Sequence, residues 1–177
     1  VFLQTPEGLF YREQGTELDA VGQAFDIQLI DLDGDGRDDI IAQLGLKDPA
    51  VLVGDFFAPL EHTDTLKRPD WTWYATGPGS GIQIENGPHK GRLVIPCDHG
   101  ETVGSTNNLY AHVILSDDNG ESWLISNSLE AGTEECEAAQ LAGGSLLLTV
   151  RNYHDTGKAS FSRSYDQGLT LSPVEYS

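Results

Sequence analysis

Short apolar or β-branched runs recur along most of the chain, separated by glycine-rich and Asx-rich breaks. The runs read FDIQLI, DIIAQL, AVLVG, WTWYAT, GIQIE, GRLVIP, AHVILS, SWLISN, SLLLTV and ASFSRS. Each has the length of a β-strand and is too short for an ordinary helix. Helix formers gather only in LEHTDTL (60–66) and EECEAAQLA (134–142). The pattern therefore predicts an all-β protein, built as a sandwich, a barrel or a propeller.

Two similar acidic turns favour a propeller among these architectures. SDDNGESW begins at position 116 and SYDQGLTL at position 164, so the two are 48 residues apart, with serine, aspartate and glycine in matching places. That period equals one four-stranded blade of about 40–50 residues. A closed ring takes roughly 4–8 blades, and this chain has room for fewer than four. We therefore predict an incomplete β-propeller and expect both ends to continue into a longer protein.

The charge of the chain narrows its possible partners. Ten Lys and Arg residues against 28 Asp and Glu residues give a net charge of −18. Nucleic acid is an improbable partner, because phosphate binding needs clustered positive charge. No apolar run approaches the roughly 20 residues of a membrane span, and no signal peptide is visible. The charge is typical of a secreted, periplasmic or cell-surface protein. Cys97 and Cys136 could pair or remain thiols.

The acidic run DLDGDGRDD has the spacing of a metal-binding loop. Asp31, Asp33, Asp35 and Asp39 stand at positions 1, 3, 5 and 9, and Arg37 at position 7 offers its backbone carbonyl. Hard oxygen donors at this spacing suit Ca²⁺, whereas a solvated acidic turn would leave the carboxylates repelling one another. Strand-like runs flank the loop, which excludes an EF-hand. The segment resembles the calcium loops of FG-GAP (VCBS, integrin-like) repeats, so we assign 1–50 to such a repeat, with a structural Ca²⁺.

SDDNGESW lacks that spacing and is better explained as a turn. Its charges, Asp117 and Asp118, are adjacent, and adjacent side chains on a strand point to opposite faces. Asp118 is placed to accept backbone N–H bonds, Gly120 to adopt positive φ, and Trp123 to anchor the hairpin in the core. The pattern resembles the Asp box of BNR repeats. We therefore assign 51–177 to a partial propeller with Asp boxes at 116–123 and 164–171.

A longer stretch, roughly 67–171, resembles the exo-α-sialidase (neuraminidase) family. The segments that carry the resemblance are RPDWTWYATGPGSGIQI (68–84), GRLVIPCDH (91–99), AHVILSDDNGESW (111–123) and EECEAAQLAGGSLLLTVRN (134–152). The resemblance implies a glycoside hydrolase that removes terminal sialic acids from sialylated glycans. Such an enzyme uses arginines to bind the sugar carboxylate and a tyrosine nucleophile activated by a glutamate.

By this resemblance Glu135 is the glutamate beside the nucleophile and Arg151 one of the carboxylate-binding arginines. Glu134 is the alternative to Glu135, and the cysteine that directly follows Glu135 favours Glu135. Asp98 and His99 fall in a segment that reaches the substrate. The family's second glutamate is replaced by Gln140, which we expect to weaken the electrostatics of the site. Arg68 and Arg92 are expected to be solvated surface charges.

The rest of the family's catalytic set has no counterpart in this chain. The aspartate that serves as acid/base, the nucleophilic tyrosine and the remaining arginines are not matched, and Tyr153, Tyr165 and Tyr176 stand in a different context. We therefore expect little or no sialidase activity from these 177 residues alone. The alternative is a non-catalytic, calcium-stabilised propeller that binds glycans or proteins.

The calcium hypothesis predicts that chelation destabilises the protein. A ligand that binds only the folded state at 100 times its dissociation constant stabilises by about 2.7 kcal/mol. Thermal unfolding should therefore begin at a lower temperature in EGTA than in CaCl₂, with MgCl₂ as the control cation. Equal unfolding temperatures in EGTA and CaCl₂ would favour the solvated acidic turn.

Overall fold

Strands make up nearly all the regular structure in the described part of the chain. The computed structural model describes residues 62–154 and 157–177 in full and, before residue 62, the backbone of six strands. A single turn of helix, α1 (Thr63–Leu66), lies within one of the two helix-favouring segments. The other segment is mostly a strand, because tertiary pairing overrides its local propensity. No helix among these described residues is long and apolar enough to cross a membrane.

The strands follow one another in chain order. They are β1 (Phe2–Gln4), β2 (Phe10–Arg12), β3 (Ala24–Ile30), β4 (Asp39–Leu44), β5 (Ala50–Gly54), β6 (Leu60–Glu61), β7 (Trp71–Thr76), β8 (Ile82–Gln83), β9 (Leu93–Val103), β10 (Thr106–Ser116), β11 (Leu124–Ile125), β12 (Thr133–Gln140), β13 (Leu146–Asn152), β14 (Ser160–Ser164) and β15 (Glu175–Tyr176).

The strands form antiparallel sheets of neighbouring segments. β1 pairs with β2, and the larger sheets have the orders β3-β4-β5-β6, β11-β10-β9-β7 and β12-β13-β14-β15, with β8 also paired to β9. These meanders are blade-like, and the strands that the structure describes do not close into a ring. The all-β, open architecture is the one that the sequence predicts. The sheet β3–β6 runs across the proposed boundary between residues 50 and 51, because β5 begins at Ala50 and pairs with β4.

The sheet containing β9 and the sheet containing β12 pack face to face. β9 is buried on both sides, so Leu93 and Ile95 enter one core and Val94 enters the other. From β12, Cys136 and Ala138 reach the core between the two sheets. That second core also holds Ile84, Ala111, Val113, Leu115, Leu129, Leu146, Leu148, Val150 and Leu171.

Cys97 and Cys136 are thiols and do not form a disulfide. Both are buried, and the Cys136 thiol donates to the Cys97 carbonyl at 3.5 Å. Burial, with a smaller contribution from the charge of Asp98, raises the pKa of Cys136 to about 12. Cys136 is therefore an inert packing residue at neutral pH, because only a thiolate is reactive.

The two Asp boxes are the same turn built twice. In the first, the Ser116 hydroxyl accepts from Gly120 N at 2.8 Å, and the Asp118 carboxylate accepts from Ser122 N at 2.9 Å. In the second, the Ser164 hydroxyl accepts from Gly168 N at 2.7 Å. The hydrogen bond from the Ser122 hydroxyl is the main reason that the pKa of Asp118 is lowered. The predicted self-bonded turn is confirmed.

Side chains next to each turn anchor it in the core. Trp123 is 8% exposed and its indole N–H donates to Gly120 O at 3.0 Å, and Leu171 fills the corresponding place after the second turn. Gly168 has φ +107°, and a Cβ there would lie 2.6 Å from Cδ2 of Leu115. Glycine is therefore required where the second turn meets β10.

Arg92 joins the two turns, and the expectation that it is solvated is wrong. Its side chain is only 4% exposed. Nε and Nη2 each lie 2.8 Å from an oxygen of the Asp117 carboxylate, so the pair is bidentate. Nη1 donates to the carbonyls of Asp166 and Gln167, at 3.3 and 3.1 Å, in the second turn. Burial follows because a guanidinium offers enough donors to satisfy both turns at once.

Replacing Arg92 with alanine should destabilise the fold. The change leaves the buried carbonyl of Gln167 and the partly buried carbonyl of Asp166 without their donor, and it removes the ion-pair partner of the half-exposed Asp117. The lost hydrogen bonds cost about 2–4 kcal/mol. Urea unfolding of the Arg92→Ala variant measures the loss. The matched control is Arg68→Ala, at an exposed arginine, which should cost less than about 1 kcal/mol. A cost at Arg92 no larger than that at Arg68 would contradict the role assigned to Arg92.

Candidate functional site

A β-bulge brings two consecutive glutamates to the same arginine. Thr133 pairs with Asn152, whereas Cys136 pairs with Val150, so β12 holds one extra residue opposite the end of β13. On a regular strand the side chains of Glu134 and Glu135 would point to opposite faces. The bulge turns both of them toward Arg151, which is how bulges commonly re-aim side chains beside functional sites.

Arg151 contacts the two glutamates through a single nitrogen. Its Nη1 lies 2.8 Å from Oε2 of Glu135 and 3.4 Å from Oε2 of Glu134. The side chains of Arg151 and Glu135 are 51% and 44% exposed, so this ion pair lies at the surface. The hydrogen bond to Glu135 is the main cause of a raised Arg151 pKa. The structure thus brings together the two residues that the sequence placed closest to the chemistry.

Tyr153 and Glu134 belong to the same cluster, although Tyr153 was not predicted as a site residue and Glu134 only as the alternative to Glu135. The Tyr153 ring lies under the guanidinium, 4.9 Å from Cζ of Arg151 to the ring centroid. Its hydroxyl donates to Oε2 of Glu134, and that bond is the main reason that the pKa of Tyr153 is raised. The available sequence signal was the spacing of Arg151 and Tyr153, which puts both side chains on one side of an extended segment.

One edge of the Arg151 guanidinium remains open. Within residues 62–154 and 157–177, no group hydrogen-bonds to its Nε or Nη2. These two nitrogens form the planar fork that binds a carboxylate bidentately. Arg151 and Glu135 also line a cleft of about 420 Å³, whose floor includes Pro78, Thr149 and Phe161. We call it the Arg151 cleft. The arrangement suits recognition of a carboxylate-bearing ligand.

Asp98 lies beneath the surface, on β9. Asp98 is 2% exposed, and its carboxylate accepts a 2.7 Å hydrogen bond from the indole N–H of Trp73. Side chains alternate along β9, so Asp98 lies on the same face as Val94, which packs in the core between the two sheets. The charge of Asp98 contributes to the raised pKa of Cys136. Contact between Asp98 and a substrate stays a prediction.

His99 occupies the opposite face of β9, inside the other core. It is 0% exposed and stacks on Trp71 with ring centroids 3.8 Å apart. Its Nδ1 lies 3.0 Å from Nδ1 of His112, which is equally buried. A ring enclosed in this way has no surface to offer a sugar, so the structure places His99 in core packing and does not support its predicted contact with substrate.

Gln140 lies at the far end of β12 from Glu135 and makes structural hydrogen bonds. Its Oε1 accepts from Glu85 N at 2.8 Å, and its Nε2 donates to Asn86 O at 2.7 Å. The expectation that Gln140 weakens the electrostatics of the site is therefore not supported by its position.

The predicted calcium ligands fall in the part of the chain that the structure does not describe. Asp31, Asp33, Asp35 and Arg37 lie outside the described residues, and of Asp39 only the backbone, at the start of β4, is described. The loop does connect two paired strands, β3 and β4, as expected for such a repeat. The calcium site itself stays a prediction.

Comparison with known proteins identifies the class of protein. The BNR repeat-like domain family matches residues 57–177. The chain therefore belongs to the BNR repeat-like domain family. It is 29% identical over 111 residues to a sialidase of Micromonospora viridifaciens, which covers 63% of this chain and 17% of the relative. It is 30% identical over 120 residues to a sialidase of Bacteroides fragilis (strain YCH46), which covers 68% of this chain and 21% of the relative.

Solved structures agree on the fold. The Hadza microbial sialidase Hz136 aligns with a TM-score of 0.72 at 22% identity, over 96% of this chain and 38% of that one. The intramolecular trans-sialidase from Ruminococcus gnavus aligns with a TM-score of 0.56 at 23% identity, over 81% and 29% of the two chains. The predicted sialidase-type propeller is thus confirmed as a fold. The chain spans only about a fifth of the curated relatives quoted above, 17% and 21% of their lengths.

The buried histidine pair predicts that acid weakens the fold. Burial is the main reason that the pKa of His99 is lowered to about 4 from its ordinary 6.5, and the pKa of His112 is lowered in the same way. Stability is therefore complete above pH 6.5 and is lost as the pH falls toward 4, because the unfolded chain takes up protons first. Protonation of His99 alone should lower the free energy of unfolding by about 2 kcal/mol between pH 7 and pH 5.

Urea unfolding at pH 7 and pH 5 measures this loss. His99→Gln keeps a hydrogen-bonding side chain that cannot be protonated, so the difference between the two pH values should shrink. The matched control is His154→Gln, at an exposed histidine, which should leave the difference as it is in the wild type. Equal stability of the wild type at the two pH values would refute the prediction.

Proposed function

We propose that this chain is part of an exo-α-sialidase-type glycoside hydrolase that removes terminal sialic acids from sialylated glycans. Arg151 binds the carboxylate of the sugar, and Glu135 accepts the proton of the nucleophile. The sialidase relatives supply the reaction class, and they share only part of their length with this chain. The observation that carries the proposal is the convergence of Glu135 and Arg151 on one open cleft, at 2.8 Å.

The geometry suits both proposed roles. Because Glu135 uses Nη1 of Arg151, the Nε and Nη2 edge is left for the carboxylate of the ligand. A bound carboxylate would then lie beside Glu135, so the same arginine would orient the sugar and the base. The proton acceptor would thus be held close to the reacting carbon without a separate positioning group.

The remaining groups of the reaction would come from outside the described residues. A retaining sialidase needs a nucleophile beside Glu135 and an acid above the glycosidic oxygen. Tyr153 is adjacent and donates its hydroxyl to Glu134, but it stands outside the sequence context of the family's nucleophile, so we do not assign it that role. The described residues therefore account for carboxylate recognition and one base.

Conservative replacement of Arg151 tests carboxylate recognition. Arg151→Lys keeps the positive charge but loses the planar fork, so binding should weaken roughly ten- to a hundredfold. The measurement is an NMR titration of the chain with N-acetylneuraminic acid. Arg163→Lys is the matched control, since Arg163 lies on β14 of the same sheet, over the Phe161 ring. Wild-type affinity in Arg151→Lys would rule out the proposed carboxylate site.

Replacement of Glu135 tests catalysis in the native protein that carries this chain. Glu135→Gln retains the size and hydrogen bonding of the side chain but cannot accept a proton. The kcat for a fluorogenic sialoside should fall by roughly 10²–10⁴-fold, while KM changes little. Sialic-acid binding that depends on Arg151, in a native protein without hydrolysis, would favour the non-catalytic propeller.

A further inference from the structure

Glu134 and Tyr153 share one oxygen with the arginine of the cleft. Oε2 of Glu134 accepts the hydroxyl proton of Tyr153, and the same Oε2 lies 3.4 Å from Nη1 of Arg151. Glu135, in contrast, contacts Nη1 at the full hydrogen-bond distance of 2.8 Å. Arg151 therefore has one close carboxylate and one that is held away from it.

The hydroxyl of Tyr153 competes with Arg151 for that oxygen. An oxygen that already accepts one hydrogen bond has fewer lone-pair directions for a second donor, so the approach of Glu134 to Nη1 is restrained. Without the hydroxyl, Glu134 would close from 3.4 Å toward the 2.8 Å at which Glu135 contacts Nη1, and two carboxylates would then hydrogen-bond the guanidinium. The attraction of Arg151 for an anion at the Nε and Nη2 edge would then be offset by two hydrogen-bonded carboxylate charges.

We infer that Tyr153 is a positioning residue that keeps Glu134 off Arg151 and so leaves the arginine available to the carboxylate of a ligand. The inference rests on the proposed function for the identity of that ligand. The hydroxyl and the ring of Tyr153 have different roles. The ring supports the guanidinium from below at 4.9 Å, whereas the hydroxyl restrains the glutamate.

This division of tasks gives opposite effects for two conservative variants. Tyr153→Phe keeps the ring and removes the restraint, so N-acetylneuraminic acid should bind roughly two- to fivefold more weakly, as expected for strengthening one surface ion pair. Glu134→Gln removes the competing charge, so binding should equal or exceed that of the wild type. A residue with a merely structural role would not produce this pattern.

The double variant Tyr153→Phe/Glu134→Gln is the decisive sample. Binding should return to within about twofold of Glu134→Gln alone, because no carboxylate remains for the hydroxyl to restrain. Tyr165→Phe is the matched control, a tyrosine that is 78% exposed in the second Asp box, and it should bind as the wild type does. Unchanged binding in Tyr153→Phe, or no recovery in the double variant, would overturn the inference.

A measurement without ligand separates this inference from the proposed function. The ¹⁵N relaxation of the Arg151 Nε–Hε group reports the order of the guanidinium. The order parameter of this group should rise in Tyr153→Phe, because Glu134 closes on Arg151. In the double variant it should return to the wild-type value or fall below it. Failure of the wild type to bind N-acetylneuraminic acid would remove the proposed function alone. Equal order in all variants would remove the inference alone.

Discussion

The buried guanidinium of Arg92 is the contact on which the arrangement of the last two sheets depends. It stands before β9 and reaches both the carboxylate of Asp117, in one Asp box, and two carbonyls of the other. Each Asp box is stable by itself, because serine and aspartate satisfy its turn locally. Arg92 gives the two turns a fixed relation. The inter-sheet core lies between the two sheets that these turns belong to.

The packing between the two sheets also fixes the position of the candidate site, because β12 contributes residues to both the inter-sheet core and the site. Cys136 and Ala138 hold one face of β12 in the core between the sheets, which leaves Glu135 and Glu137 on the outer side. Because Cys136 is anchored, the extra residue of the bulge must be accommodated just before it, at Glu134 and Glu135. Rigid packing behind the strand thus fixes where the two carboxylates emerge beside Arg151, which is the support that a precise site requires.

Features that depend on the local sequence pattern were predictable, and features that depend on contacts between residues distant in the sequence were not. The alternation of apolar and polar residues predicted the strands, and the 48-residue repeat predicted the Asp boxes. Both depend on residues that are close together in the sequence. Arg92 was assigned to solvent, since nothing near it in sequence reveals that two distant turns supply its acceptors. His99 was assigned to substrate, because the pattern does not show which face of a doubly buried strand a residue takes. Tyr153 was passed over because its partner Glu134 is 19 residues away.

The charge around the Arg151 cleft limits what the described residues can do by themselves. Among the described residues that line it, Arg151 is opposed by Glu135 and Glu137, and Oε2 of Glu134 lies 3.4 Å from Nη1 of Arg151. An anionic sugar entering this field meets more negative than positive charge, and the half-exposed ion pair is screened by water. Strong binding of such a ligand therefore requires further cations from elsewhere in the protein. The open edge of Arg151 would orient the carboxylate of the ligand, and the additional cations would have to contribute most of the binding free energy.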